Sequence, residues 1–404
     1  MKRISLAALC AAVLSSRPVL GTVLTFDGAL ERARRDAPAV VAARLRPDET
    51  RERLAGASTW LRDNPMIEGR AGRRDASDGV STDVETGISQ SFELGGRRRA
   101  RIAGARADVA HETASAEDAM REVLQHVAAS FVRAVAADDR LRVLRANEGL
   151  AADLLRVAER RHRAGDIADL EMNVARVAAA RARADVRAAE AGRELGLSEL
   201  RVALGMDAAE PLEVRGQLAP RPGRALGELL AASAERPDLR ALREQIREAE
   251  AESEVGNGLR WPDLGVHVGY KREEGANIPL AGLSASLPIF ADGRAERATG
   301  EARARRLRVE LNARRRAVDV EVRAAFDAWV CLVRAVEDLE RNALPLFDDN
   351  DSLTRRSYEA GELSLVDYLL VSRDTLEARL DYVARSLEAA LASVDLEARA
   401  GVLR

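Results

Sequence analysis

The chain has 404 residues, of which 47% are apolar and 32% are charged. This composition supplies enough apolar material for one large folded unit or two ordinary ones and argues against a disordered chain. Aromatic residues make up only 3%, and the predominance of alanine, leucine and valine favours long, closely packed helices. The formal net charge of −3 gives a nucleic-acid partner no electrostatic support.

The N-terminus has the pattern of a secretory signal. A positively charged start (residues 1–3) precedes an apolar run over residues 4–14, which is too short to span a bilayer. We therefore expect residues 1–21 to be a signal peptide and the protein to be exported. No later apolar stretch approaches the roughly 20 residues of a membrane helix, so any membrane span is expected to consist of strands.

The rest of the chain contains two copies of one pattern. Matching features recur at offsets between 195 and 199 residues, and a duplicated unit is the simplest explanation. The matched pairs include Pro38 and Pro237, Pro65 and Pro262, Ser91 and Ser286, Phe131 and Phe326, and Gly165 and Gly361. We predict a first repeat over residues 22–210, a linker over 211–232 and a second repeat over 233–404.

Each repeat is predicted to contain an extended helical hairpin. Apolar residues spaced by three and four predict long helices over residues 97–163 and 294–358, the second interrupted only by Pro345. At 1.5 Å per residue each would extend roughly 100 Å. Returning helices over 170–205 and 366–401 complete two hairpins of coiled-coil type, with tips near residues 165 and 361.

A pair of short strands precedes each long helix, near residues 65–94 and 262–290. Val84, Ile88 and Phe92 alternate with polar residues, and strands of about ten residues with this alternation are typical of transmembrane barrels. Charged loops that contain glycine are predicted at residues 73–79 and 272–277. Because four strands do not close a barrel, the missing strands are expected from other copies of the chain.

Three segments carry a resemblance to a known family. Residues 24–30 (LTFDGAL) open the mature chain, while residues 89–98 (SQSFELGGRR) and 287–294 (LPIFADGR) lead from the predicted strands into the long helices. The chain resembles the TolC-type outer-membrane efflux proteins over essentially its whole mature length. Within this family it resembles the cobalt-zinc-cadmium cation efflux channels. Residues 89–98 carry that narrower resemblance, whereas residues 287–294 support the family as a whole.

The resemblance implies a mainly α fold with a transmembrane β part. A long antiparallel α-helical coiled-coil barrel would cross the periplasm, and a homotrimer would build a twelve-stranded β-barrel in the outer membrane from four strands per chain. A belt of mixed structure is expected near residues 211–239. The implied partners are outer-membrane lipid, a periplasmic membrane-fusion adaptor and an inner-membrane pump of the RND type. The implied function is a passive exit duct for heavy-metal cations, with no cofactor.

The resemblance also identifies candidate functional residues at the two hairpin tips, which meet the adaptor in this family. Glycine permits the left-handed conformation that ends a helix, and Asp166 or Ser364 could cap the helix that follows. An ordinary helix turn without a partner is the alternative. The tip residues are Gly165, Asp166, Ile167 and Ala168 in the first repeat and Gly361, Glu362, Leu363 and Ser364 in the second.

Acidic residues narrow the periplasmic entrance in the family, and the aligned position here is Asp367. In a trimer it would place three carboxylates around one axis, an arrangement that favours cations. Leu370 stands where some relatives have a second acidic residue, a departure from the family pattern. Glu171 occupies the equivalent place after the first tip and is expected either at the entrance or as a solvated carboxylate.

Other classes of function have less support. The four histidines are scattered, and no metalloprotease, nucleophile-elbow or phosphate-loop motif is present, so an enzyme is not expected. No cluster of Met or His marks a metal path, and no metal site is predicted. A multidrug or type I secretion exit channel remains an alternative, as does a periplasmic coiled-coil scaffold outside the membrane, although the alternating strands argue against the scaffold.

Overall fold

The computed structural model describes residues 22–76, 79–219 and 223–403. The predicted signal peptide lies outside these residues. The described chain opens with a short strand and two helices: β1 (Thr22–Leu24), α1 (Phe26–Asp36) and α2 (Pro38–Ser58). Thr25 caps α1, since its hydroxyl oxygen accepts a hydrogen bond from the Gly28 N–H at 3.2 Å.

The next four elements form a strand pair followed by a helical hairpin. They are β2 (Met66–Ala76), β3 (Gly79–Phe92), α3 (Arg97–Ala164) and α4 (Asp169–Leu204). The 68 residues of α3 extend about 100 Å at 1.5 Å per residue.

A short segment of mixed structure links this half to the second. It contains β4 (Leu212–Val214), which pairs in parallel with β1, and α5 (Leu226–Ser233). The remaining elements are α6 (Pro237–Gly258), β5 (Asp263–Glu273), β6 (Ala276–Ser286), α7 (Arg294–Asn342), α8 (Leu344–Glu359) and α9 (Leu365–Ala400).

The second long helix is divided where the sequence predicts an interruption. Ala343 separates α7 from α8, and Pro345 occupies the first turn of α8. Proline has no N–H to donate to the preceding turn, so a continuous helix is disfavoured here.

The four longer strands form one antiparallel sheet in the order β2-β3-β5-β6. The strands run farther than predicted, and the charged loops expected at residues 73–79 and 272–277 are largely strand. Within the second hairpin only Glu274 and Gly275 turn, with φ values of 51° and 78°, which is the two-residue turn that suits the twist of a hairpin. In the described part of the chain, the outer edges of β2 and β6 pair with no other strand.

The two faces of the sheet differ in chemistry. One face is apolar and exposed, and the other carries charged side chains that are half-buried. The apolar face includes Val84, Ile88, Phe92, Leu264, Val266 and Val268. The charged face includes Arg74, Asp83, Glu85, Lys271 and Glu273.

Most helices are arranged around α3 and α9. The α3 helix packs against α4 on one side and α9 on another, and α9 packs against α7 and α8. The largest apolar core joins α1, α3, α4 and α9 around Phe131, whose ring meets that of Phe26 edge-on with centroids 5.7 Å apart. None of the described helices combines the length and the apolar character needed to cross a membrane.

A buried charge network fixes the start of α6 to the second helical hairpin. The side chain of Arg236 is only 2% exposed, and it donates to the Asp238 carboxylate at 2.8 Å and to the Arg399 carbonyl at 2.9 Å. Arg314 of α7 donates to the same carboxylate at 3.0 Å. Charged groups this far from water require such partners, so the network holds α6, α7 and α9 in one arrangement.

Candidate functional site: the paired helix tips

The first tip is a compact helix ending. Gly165 has φ 82°, and its N–H donates to the His162 carbonyl at 3.0 Å, while the Asp166 N–H donates to the Arg161 carbonyl at 2.9 Å. This pair of bonds is the Schellman motif, which depends on a residue in the left-handed conformation. Glycine adopts that conformation without a steric penalty.

The second tip repeats this motif. Gly361 has φ 78°, its N–H donates to the Tyr358 carbonyl at 3.1 Å, and the Glu362 N–H donates to the Ser357 carbonyl at 2.9 Å. Both tips therefore end their helices by the same backbone bonds.

One apolar cluster brings the tips together at the same end of the molecule. Ile167 from the first tip and Leu363 from the second pack against a shared set of buried residues. The members of this set are Leu154, Ala158, Met172, Ala175, Tyr358, Leu365 and Tyr368.

Aromatic contacts add to this connection between the two hairpins. The Arg161 guanidinium lies over the Tyr358 ring, 5.3 Å from its centroid, and the rings of Tyr358 and Tyr368 lie 5.4 Å apart. Burial raises the pKa of Tyr358, although Arg161 acts in the opposite direction, and the charge of Glu171 adds to the increase. Burial also raises the pKa of Tyr368, so both phenols remain uncharged at neutral pH.

The helices that follow the tips begin differently. Ser364 caps α9: its hydroxyl oxygen accepts from the Asp367 N–H at 3.2 Å and donates to the Asp367 carboxylate at 2.7 Å. At the first tip the cap position of α4 is Ala168, which provides no side-chain bond. The expectation that Asp166 caps this helix is therefore wrong, and only Ser364 has the predicted role.

A side-chain contact that the sequence did not suggest closes the first tip. His162 Nε2, near the end of α3, lies 2.7 Å from the Asp169 carboxylate at the start of α4. His162 and Asp169 belong to different helices on the two sides of the turn, so the periodicity of a single helix does not indicate this contact.

The two candidate entrance carboxylates lie just beyond the tips. Asp367 is exposed in the first turn of α9, and Glu171 is half-buried in the first turn of α4. Leu370, one turn after Asp367, is 57% exposed. An apolar side chain thus lies on the exposed side of α9 one turn after Asp367.

The described residues contain no group of three or more His, Cys, Asp or Glu side chains placed to hold a metal ion. Acidic side chains at the tips instead form hydrogen bonds to the Ser364 hydroxyl and the His162 ring.

Comparison with known proteins identifies the class to which this fold and site belong. A family model described as outer membrane efflux protein matches residues 29–206 and 229–402, and the chain therefore belongs to the outer membrane efflux protein family. Its place in the cell is the outer membrane, as predicted.

Individual relatives agree with this assignment. The chain is 26% identical over 304 residues to the cobalt-zinc-cadmium resistance protein CzcC of Cupriavidus metallidurans, a match that covers 72% of this chain and 71% of that one. The fold is similar to that of CusC, with a TM-score of 0.76 at 15% identity, covering 94% of this chain and 92% of that one. It is equally similar to the outer membrane protein VceC of Vibrio cholerae, with a TM-score of 0.76 at 16% identity, covering 93% and 96%. The predicted fold class is confirmed.

Proposed function

We propose that the protein is the exit duct of a tripartite system that exports heavy-metal cations of the cobalt, zinc and cadmium type. The observation that supports a duct is a four-stranded sheet, apolar on one face, continued by long helices, of which α3 extends about 100 Å. The similarity to CzcC over 72% of the chain supports the cargo. The duct is passive and has no catalytic activity or resident metal.

Three copies of the chain form the complete duct. The sheet of one chain has free edges at β2 and β6, and in lipid unpaired backbone groups cost several kcal/mol each. Pairing each β6 with the β2 of the next copy removes these edges and gives twelve strands. In the described part of one chain, the α4 and α7 helices do not pack against each other, and exposed apolar residues on them, such as Val202 and Val320, are covered when the copies assemble.

The paired tips bind the periplasmic adaptor, which connects the duct to an RND pump. Asp166, Ala168, Glu362 and Ser364 are exposed there, whereas Ile167 and Leu363 pack inward. The inward residues and the two glycines fix the shape of the tips, and the exposed residues contact the partner. The duplicated helix ending offers an adaptor two similar sites per chain.

Asp367 and Glu171 form the periplasmic entrance. Three exposed Asp367 carboxylates around the axis attract cations and repel anions, and the bond from Ser364 holds each carboxylate at the start of α9. Glu171 is half-buried and adds to the negative electrostatic potential at the entrance without being fully exposed there. We also propose the division into repeats at residues 22–210 and 233–404 with a linker at 211–232.

Growth of a strain that lacks this gene tests the proposal. The strain is grown with and without complementation across graded zinc, cobalt and cadmium and across a panel of amphiphilic drugs and detergents. Sensitivity to the metals alone, restored by the gene, is the expected result. Sensitivity to drugs alone would assign the duct to a multidrug exporter, and loss of a secreted protein would assign it to type I secretion.

A second experiment tests the location of the protein. Urea should leave it in isolated outer membranes, and its release by urea would instead indicate a periplasmic scaffold.

A further inference from the structure

Three of the four connections between the sheet and the helices form a positively charged zone, which we call the sheet–helix junction (residues 58–64, 93–101 and 258–263). The chain as a whole has a net charge of −3, but this junction contains six arginines and three carboxylates. Its charge is therefore opposite in sign to that of the whole protein.

The three carboxylates do not compensate all six arginines. Arg101 donates to both oxygens of Glu93 at 2.8 Å, Arg62 lies 3.4 Å from the same carboxylate, and Arg97 pairs with Asp263. The third carboxylate, Asp63, accepts from the Ser91 hydroxyl at 2.7 Å. Within the described chain, no carboxylate pairs with Arg98, Arg99 or Arg260, and all three side chains are exposed.

Two tryptophans lie among these arginines. Trp60 is 76% exposed and Trp261 is 61% exposed, and each immediately precedes a segment that leads into the sheet. The Arg98 guanidinium donates to the Ser58 carbonyl at 2.6 Å, which places its charge beside the backbone that leads to Trp60. Trp261 packs against Gly95, where an added Cβ would lie 2.6 Å from the indole Cδ1.

We propose that the sheet–helix junction binds the anionic head group of a phospholipid in the periplasmic leaflet of the outer membrane. The Arg98 and Arg99 guanidinium groups bind the phosphate, and the two indole rings lie at the boundary between acyl chains and water. Exposed guanidinium groups match phosphate geometry, and tryptophan is enriched at this boundary because one side of its ring system is apolar and the other polar.

Continuity with the lipid-facing surface selects a lipid as the occupant. Phe92 and Leu264, at the junction end of the apolar sheet face, are 37% and 42% exposed, so acyl chains that cover this face end beside the arginines. A basic cluster directly next to a membrane span is the arrangement that attracts anionic lipids. The inference rests on the location of the sheet in the outer membrane.

Tryptophan quenching by lipids with brominated acyl chains tests this proposal. The protein is reconstituted in vesicles of phosphatidylglycerol and phosphatidylcholine in which only one of the two lipids is brominated, at identical composition. Trp329, the third tryptophan, lies on α7 about 50 Å beyond Arg294 and gives a constant background. We expect stronger quenching when phosphatidylglycerol carries the bromine, corresponding to an enrichment on the order of fivefold.

A matched pair of variants separates the junction from general charge. Arg98→Gln with Arg99→Gln should remove the preference, because glutamine retains a donor but has no charge. Arg315→Gln with Arg316→Gln should retain it: these arginines of α7 are also exposed, and Arg316 likewise donates to a backbone carbonyl. If the junction variant does not fold, high salt applied to the unmodified protein should weaken the preference.

Several results would overturn the proposal. Equal quenching by the two labelled lipids, or an equal loss in both pairs of variants, would show that the junction arginines do not select the lipid. Loss of the preference on adding inorganic phosphate at constant ionic strength would assign the site to a small anion. No quenching by either lipid would mean that protein, such as a second copy, covers the tryptophans. Conductance of the same vesicles tests the proposed duct independently of the lipid preference, so failure of one proposal is distinguishable from failure of the other.

Discussion

The Ser364 hydroxyl and the Asp367 carboxylate are hydrogen-bonded at 2.7 Å across the first turn of α9, while the Asp367 N–H donates back to the Ser364 oxygen at 3.2 Å. The bond from the Asp367 N–H is the serine half of a capping box. The other half differs, because the Asp367 carboxylate accepts from the Ser364 hydroxyl and not from the Ser364 backbone N–H. The cap therefore restrains the same carboxylate that we assign to the channel entrance.

Replacing Asp367 by asparagine should lower the cation selectivity of the pore. The amide is of similar size and can still accept the bond from Ser364, so the charge is the main change, and three charges are lost per trimer. Reversal potentials in planar bilayers under a salt gradient measure the effect. Glu362→Gln removes a charge from the exposed tip nearby and should shift the potential less. Unchanged potentials for Asp367→Asn would reject the entrance assignment.

The two tips differ in their cap residues, Ser364 and Ala168, so giving each position the other's residue should change helix stability in opposite directions. Ser364→Ala should destabilise the first turn of α9 by about 1 kcal/mol. Ala168→Ser should stabilise the first turn of α4, since Ala168 has the extended conformation of a cap residue (φ −78°, ψ 160°) and Glu171 stands three residues later, as in a capping box. Amide hydrogen exchange at these turns should show a protection change of roughly fivefold in each direction. The same direction of change in both variants would contradict this account.

The network around Arg236 predicts a large loss of stability on neutralising Asp238. Asp238→Asn leaves the Arg236 guanidinium, 2% exposed, with only the more distant Glu321 carboxylate at 3.9 Å, so the loss should approach the roughly 3 kcal/mol at the lower end for breaking a buried pair. Thermal unfolding measures the loss. Asp319→Asn is the control, because the pair of Asp319 with Arg323 is about half exposed on both sides and should contribute less than about 1 kcal/mol. Similar losses for both variants would show that Arg236 is hydrated despite its burial.

Acid should weaken the same network. Burial opposes ionisation of Asp238, but the hydrogen bonds and charges of Arg236 and Arg314 prevail and hold the pKa of this carboxyl below 3.8. A carboxyl group whose pKa is lowered by folding stabilises the fold at pH values above its ordinary pKa. This stabilisation is lost as the pH falls through the pKa of the folded state. The stability difference between the unmodified protein and Asp238→Asn should therefore be constant near neutral pH and shrink below about pH 3.8. A difference that grows on acidification would reverse the assigned sign.

The features that the sequence predicted are those set by local chemistry. Gly165, Gly361 and Ser364 act within a turn of their own positions, and so does Pro345. The pairing of Arg236 with the Arg399 carbonyl joins positions 163 residues apart, and no local pattern indicates it. The sequence places the strand ends too early, because clustered charged residues usually indicate an exposed loop. Arg74 instead pairs with Asp83 at 2.8 Å and with Glu273 across the sheet, so these charges satisfy one another on the polar face.

The contact between Gly87 and His267 on that face can be tested by a double-mutant cycle. A Cβ at position 87 would lie 2.3 Å from His267 Cε1, so Gly87→Ala should destabilise the protein by about 1–3 kcal/mol. His267→Ala removes the obstructing ring and should restore most of that loss. At Gly269 an added Cβ would also meet the Thr86 carbonyl oxygen at 2.9 Å, which truncation of His267 does not relieve. Thermal unfolding should therefore show strong coupling of position 267 with Gly87 and weaker coupling with Gly269. Additive losses for Gly87→Ala and His267→Ala would mean that the imidazole does not lie over Gly87.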